Sequence, residues 1–179
     1  MSRRIHCAVA AVILLMMLPA PSWAQVRGRQ KIAVGYSFLR ETGSDAPKYP
    51  TGWVLDVATA PAPVISVVGE VGAHYRTPGG VRETLSSYLG GLRLTPMTGS
   101  LTGFVQVLAG LERFAEPGFS EHGFAVQPGG GVEIPMGGRY AVRGQVDYRF
   151  VRVGARTGLP AATFNELRGL VGIAIELGR

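Results

Sequence analysis

His74 shares one face of an extended segment with Glu70 and Ser66, each four residues from the next, and these are the residue types of a Ser–His–acid relay. Four residues of extended chain span about 13 Å, too far for direct hydrogen bonds along one strand. His74 therefore reads as a packed interior or rim histidine. His122 lies near Glu116 and Glu121, two acids and an imidazole that could ligate a metal, although such stretches ordinarily face water. The glycine clusters Gly79-Gly80 and Gly129 to Gly131 lack the spacing, and the following helix, of a phosphate-binding loop. The largest set of chemical groups consists of arginines and acids. Glu70, His74, Arg93, Glu112, Glu133, Arg143, Asp147, Arg149, Arg168 and Glu176 are expected to form an interior polar network with a structural role. No catalytic set, cofactor or metal is assigned.

Those residues need elements to hold them. Eight segments alternate apolar and polar residues: 31–40, 52–60, 64–75, 84–94, 102–113, 124–134, 139–151 and 166–178. The seventh is the clearest. Val142, Val146, Tyr148 and Phe150 take one side, and Arg143, Gln145, Asp147 and Arg149 the other. A period of two is what a sheet with one apolar face requires. Strands of about 9 to 13 residues suit a tilted crossing of a membrane. The connections alternate in length: Glu41 to Pro50 is long, Pro61-Ala62-Pro63 tight, and Arg76 to Glu83 longer. Thr95 to Ser100 is shorter, Phe114 to Gly123 long, Pro135 to Gly138 brief, and Arg152 to Asn165 the longest. Long loops at one end and tight turns at the other mark an up-and-down barrel, and the even strand number places both termini at the tight-turn end. Pro128 removes a ladder donor inside the sixth segment, so a bulge is expected there, absorbed by Gly129 to Gly131.

The 179 residues divide into an export signal, 1–24, and one domain, 25–179. Arg3 and Arg4 precede an apolar run of eleven, Ala8 to Leu18, and Ser22 and Ala24 provide the small residues of a cleavage site. Eleven apolar residues are too few for a spanning helix. Cys7, the single cysteine, lies ahead of that run, which argues against a lipid anchor and leaves a processed chain without thiols. The formal charge of +6 falls to +4 once Arg3 and Arg4 are removed. The basic residues are scattered rather than striped, so nucleic acid is not an expected partner. With 26 glycines, 12 prolines and no sustained helical periodicity, the domain reads as all-β.

Alternation alone does not say whether the apolar face looks into a core or out at lipid. A soluble lipocalin-like carrier turns apolar side chains inward, and a membrane barrel turns them outward. The composition of the polar face discriminates. It carries Asp56, Gln106, Gln127 and the charged set above, without lysine, and Gly35, Gly72, Gly91, Gly110 and Gly172 lie among them. Arginine and acids interspersed with glycine suit a narrow, crowded interior better than a solvated wall. The expected fold is all-β: an eight-stranded antiparallel up-and-down transmembrane β-barrel with a polar, side-chain-filled interior.

On this pattern and topology, over residues 30–179, the chain resembles the small outer-membrane barrels of the OmpA/OmpX and opacity-protein type. The final strand adds a motif: Gly172, Ile175 and Leu177 resemble the terminal signal read by the barrel-insertion machinery, with Leu177 where an aromatic residue is usual. Tyr36, Trp53, Tyr75, Tyr88, Tyr140 and Tyr148 are candidates for interfacial belts. The resemblance implies residence in the cell outer membrane, contact with outer-membrane lipid, and delivery by periplasmic chaperones. It also implies a non-enzymatic, structural or surface-interaction role through the outward loops. Tyr49, Phe114, Phe119, His122 and Arg156 are the loop residues to watch. The alternatives are the soluble carrier and an outer-leaflet lipid-modifying enzyme, although the His-x-Ser pair of the lipid A deacylase type is absent.

Overall fold

A computed structural model describes residues 29–43, 46–97, 99–155 and 161–177. The export signal expected over 1–24 and the loop residue Arg156 lie outside the described residues. Among the described residues nine strands form one antiparallel sheet: β1 (Arg29–Glu41), β2 (Lys48–Tyr49), β3 (Thr51–Ala62), β4 (Ile65–Arg76), β5 (Glu83–Met97), β6 (Thr102–Glu116), β7 (Phe119–Gly137), β8 (Tyr140–Val153) and β9 (Ala162–Leu177). β9 pairs with β1 from Gln30↔Leu177 to Glu41↔Glu166 and closes the sheet into a barrel of eight strands. The two-residue β2 continues the line of β3 beside β1. Pro50, which has no N–H to donate, separates the two.

Paired residues can be followed round the wall from Ile32, through Val57, Gly69, Gly90, Ala109, Val126 and Phe150 to Asn165. The path returns to β1 at Thr42, ten residues beyond its start. Eight strands with that stagger tilt about 40° from the barrel axis and leave a lumen that side chains can fill.

The eight expected segments all form strands, most of them longer at one end or both; Val64 and Arg139, expected at strand starts, fall in turns, and Gly178 lies outside the described residues. One connection differs in kind. Phe114 to Gly123, read as a long loop, is paired chain: Glu116 faces Phe119, and only Pro117-Gly118 turns. Proline sets the first turn residue and Gly118, at φ +83°, takes the second, as a type II turn demands. Arg113↔His122 and Phe114↔Glu121 then extend the hairpin beyond the expected strand ends. Nor does Pro128 produce the expected bulge. β7 skips pairing with β8 between Val126↔Phe150 and Gly129↔Asp147, then resumes in the same register. On its other side Pro128 stays opposite Val107. The lost donor costs one rung, not a residue of register.

Burial decides which way the faces point. Val34, Tyr36 and Phe38 on β1, Val105, Val107 and Leu111 on β6, and Val171 and Ile173 on β9 are exposed, Val171 at 62%. Arg143, Arg149 and Arg168 are the largest fully buried side chains, Arg168 at 0%. This is the reverse of a soluble calyx. An apolar coat over the whole wall is untenable in water and is what a lipid-facing barrel presents. The barrel is transmembrane, with a polar interior.

Candidate functional site: the lumen and the outer mouth

Alternation brings the acids and arginines of seven strands to one axis. At mid-height Arg168, from β9, forks onto Glu70 of β4 with Nη1–Oε1 2.7 Å and Nη2–Oε2 2.8 Å, and its Nη2 also reaches Asp147 Oδ2 of β8 at 2.7 Å. Gln127 donates to Glu70, and Gln106 and Gln145 donate to Asp147. Nearer the chain termini, Arg143 binds Glu133 at 2.6 Å and Asp56 on its other side, while Arg93 binds Asp56 at 3.1 Å and Gln106 at 2.7 Å. The ring of Phe104 lies against both guanidinium groups, 4.5 Å from Arg93 and 5.2 Å from Arg143. Toward the other end Arg149 serves two carboxylates from one nitrogen, Glu112 at 2.5 Å and Glu166 at 3.4 Å. Planar, permanently charged arginine suits these multiply bonded pairs in a way lysine does not. Gly129 makes room for them, since a Cβ there would collide with the Asp147 carboxylate.

Nine of the ten residues expected in the interior set are buried in this lumen. Glu176 is not. Its side chain is half exposed at the tight-turn mouth, where Lys31 lies 3.5 Å away and is held more closely by Glu133 at 2.6 Å. Asp56, Glu166, Ser37, Ser87 and Phe104 are part of the same packing and were not in the set. Glu166 and Asp56 share the strand parity of Arg168 and of the other inward acids, so the alternation itself marked them. Phe104 carries no such mark, because an inward aromatic looks apolar in sequence.

His74 meets a serine, but not Ser66. Its Nε2 lies 2.9 Å from Ser37 Oγ of β1, and that hydroxyl also reaches the Gly169 carbonyl at 3.2 Å. Glu70 is engaged by Arg168 and Gln127, and among the described residues His74 Nδ1 has no partner. A relay needs a carboxylate on that nitrogen and a path for substrate. Among the described residues no carboxylate meets that nitrogen, and Ser37 and His74 are both buried in the lumen.

At the wide-loop end the lumen opens into a cavity of about 280 Å³ walled by Leu85, Phe114, Phe119 and Val151, with Glu112 and Glu166 in its lining. Tyr49, read as a surface loop residue, is instead buried against Leu39 and Leu85, with Arg76 5.0 Å over its ring. Burial raises the Tyr49 phenol above its ordinary range. Phe114 and Phe119 belong to β6 and β7 and pack 6.3 Å apart. His122 is also a strand residue, turned outward, while Glu121 beside it turns inward. The metal set of His122, Glu116 and Glu121 is thereby split across the wall.

On the outside, Tyr36, Trp53, Tyr75 and Tyr88 stand on four adjacent strands, Tyr36 directly opposite Trp53, whose indole donates to Tyr75 Oη at 3.1 Å. Tyr140 faces outward at the other end. Closed wall, inward ion pairs and outward aromatics decide the fold. The chain has the fold of a small outer-membrane β-barrel. Neisserial surface protein A superposes with a TM-score of 0.68 at 9% identity, covering 83% of this chain and 97% of that one. The attachment invasion locus protein Ail of Yersinia pestis gives 0.53 at 17% identity, covering 84% and 99%. The N-terminal β-barrel domain of Pseudomonas aeruginosa OprF gives 0.55 at 9%, covering 84% and 100%. No protein-family model and no curated protein matches the sequence.

Proposed function

We propose that this barrel is a non-enzymatic scaffold of the cell outer membrane, closed to solutes, whose work is done at its wide-loop end facing outward. The observation that carries this reading is the filling of the lumen. Arg93, Arg143, Arg149 and Arg168 occupy the axis together with their carboxylates, all almost fully buried, so a solute would have to break several ion pairs to pass. The sealed Ser37–His74 pair argues in the same direction against lipid chemistry in the wall. In this reading Glu70, His74, Arg93, Glu112, Glu133, Arg143, Asp147, Arg149 and Arg168 brace the barrel, and Glu176 with Lys31 trims its inner rim.

The same reading has the chain exported by residues 1–24, carried by periplasmic chaperones and inserted by the barrel-insertion machinery. Gly172, Ile175 and Leu177 of β9 would be the recognised edge before β1 closes on it. Planar-bilayer recordings of the refolded 25–179 chain test the closed lumen. The expected trace shows no stable conductance. Steady openings of porin size, abolished on changing the lumen arginines, would overturn the proposal.

A further inference from the structure

We infer that the cavity at the wide-loop mouth is a binding site for a small organic ammonium ion carrying an aryl arm. The site rests on the reading above, in which this end of a closed barrel does the work.

Glu41 of β1 and Glu166 of β9 are direct cross-strand partners, and both line the cavity. Directly opposed side chains on one sheet face stand about 5 Å apart, and like charges so placed destabilise the sheet. Glu166 is 2% exposed, and among the described residues its one ion-pair contact is Arg149 Nη1 at 3.4 Å. Glu112 already holds that nitrogen at 2.5 Å. On β7, Glu121 adds another carboxylate, opposite Phe114 of β6. Among the described residues, no cation lies within ion-pair distance of Glu41 or Glu121. Arg76 also lines the cavity, but Glu83 holds it at 2.5 Å and its guanidinium lies over the Tyr49 ring. Five carboxylates, Glu41, Glu83, Glu112, Glu121 and Glu166, thus share two guanidinium groups. Low-dielectric walls magnify such a surplus and focus it into the opening.

The walls decide which kind of cation fits. Phe114, Phe119, Phe164 and Val151 border the same space from four strands. A hydrated metal ion gains nothing from such side chains, and among the described residues no three acids or histidines converge to ligate one. An ammonium with an aryl arm uses both features, its charge meeting the carboxylates and its ring the apolar wall. The volume is about 280 Å³. A dry cavity of about 150 Å³ accepts benzene, so there is room here for one ring and a short aminoalkyl chain. Arg149 and Glu112 close the floor, so the ligand enters from the loop end and goes no deeper.

Calorimetric titration with 2-phenylethylammonium tests the site on the refolded 25–179 barrel in nonionic detergent, closed by its heat-modifiable gel shift, with empty micelles as the blank. One equivalent should bind. 2-Phenylethanol, which keeps the arm without the charge, should bind about tenfold or more weakly. E41Q and E121Q should each weaken ammonium binding about fivefold, and together about 25-fold. E41Q should not lower stability to denaturant, because it relieves the facing Glu41–Glu166 pair. E176Q, the same change at the opposite mouth, should leave binding unchanged. Absence of binding, equal binding of the alcohol, or equal weakening by E176Q overturns the site. So does a destabilised E41Q barrel, which would show that the chain supplies the counter-charge itself. Stable conductance in planar bilayers would overturn the closed-scaffold reading instead, and glutamate-dependent ammonium binding would survive it.

Discussion

Arg168 is the hub of the lumen. It satisfies two carboxylates from two other strands, 98 and 21 residues away, through four contacts of 3.0 Å or less. Removing it leaves Glu70 and Asp147 buried without their counter-charge. Arg168→Met should therefore cost about 3–5 kcal/mol of unfolding free energy, read from denaturant titrations in lipid vesicles. Arg168→Lys should recover less than half of that, because an ammonium cannot fork onto a carboxylate. Glu176→Gln at the rim should cost no more than about 1 kcal/mol, since its pairing with Lys31 is solvent-exposed. If the rim change proved as costly as the hub change, the lumen network would not be what braces the barrel. At this scale the sequence shows which side chains turn inward, because parity is a local property. It does not show who pairs with whom. Partners such as Ser37 and His74 depend on barrel stagger, which alternation within a strand does not record.

The strands show why some boundaries were legible and others were not. Segments rich in proline and glycine, such as Pro135 to Gly138, interrupt the alternation and show plainly, although pairing runs on through Gly137 and leaves Gly138-Arg139 as the turn. The β6–β7 hairpin hides its turn, since Phe114 to Gly123 mixes charged, aromatic and small residues that resemble a loop until Pro117-Gly118 is recognised as its centre. Pro128 misled in the opposite direction, because a lost donor need not shift register. Closure makes the sharpest demand on any element. At the β1–β9 seam Gly172 sits opposite Gly35, and a Cβ on Gly172 would run into the Val34 carbonyl. Gly172→Val should hold the seam open while leaving the other seven strand pairs able to form. The expected readout is loss of the heat-modifiable band with much of the β-sheet circular dichroism retained. An unaltered gel shift would show that the seam tolerates the side chain.

Across the whole molecule one inversion organises everything else: arginines and acids inside, valine, leucine and aromatics outside. It turns a strand pattern compatible with a soluble calyx into a membrane barrel, and it leaves the two ends as the places where aqueous chemistry can occur. Trp53 reports on that inversion directly. Its indole lies on the outer face of β3, and once residues 1–24 are removed it is the only tryptophan of the two in the sequence. In vesicles of lipids brominated along the acyl chain, the refolded 25–179 barrel should lose most of its tryptophan fluorescence to bromine and little to aqueous iodide. Efficient iodide quenching with no effect of bromine would place the apolar face away from lipid and contradict the account.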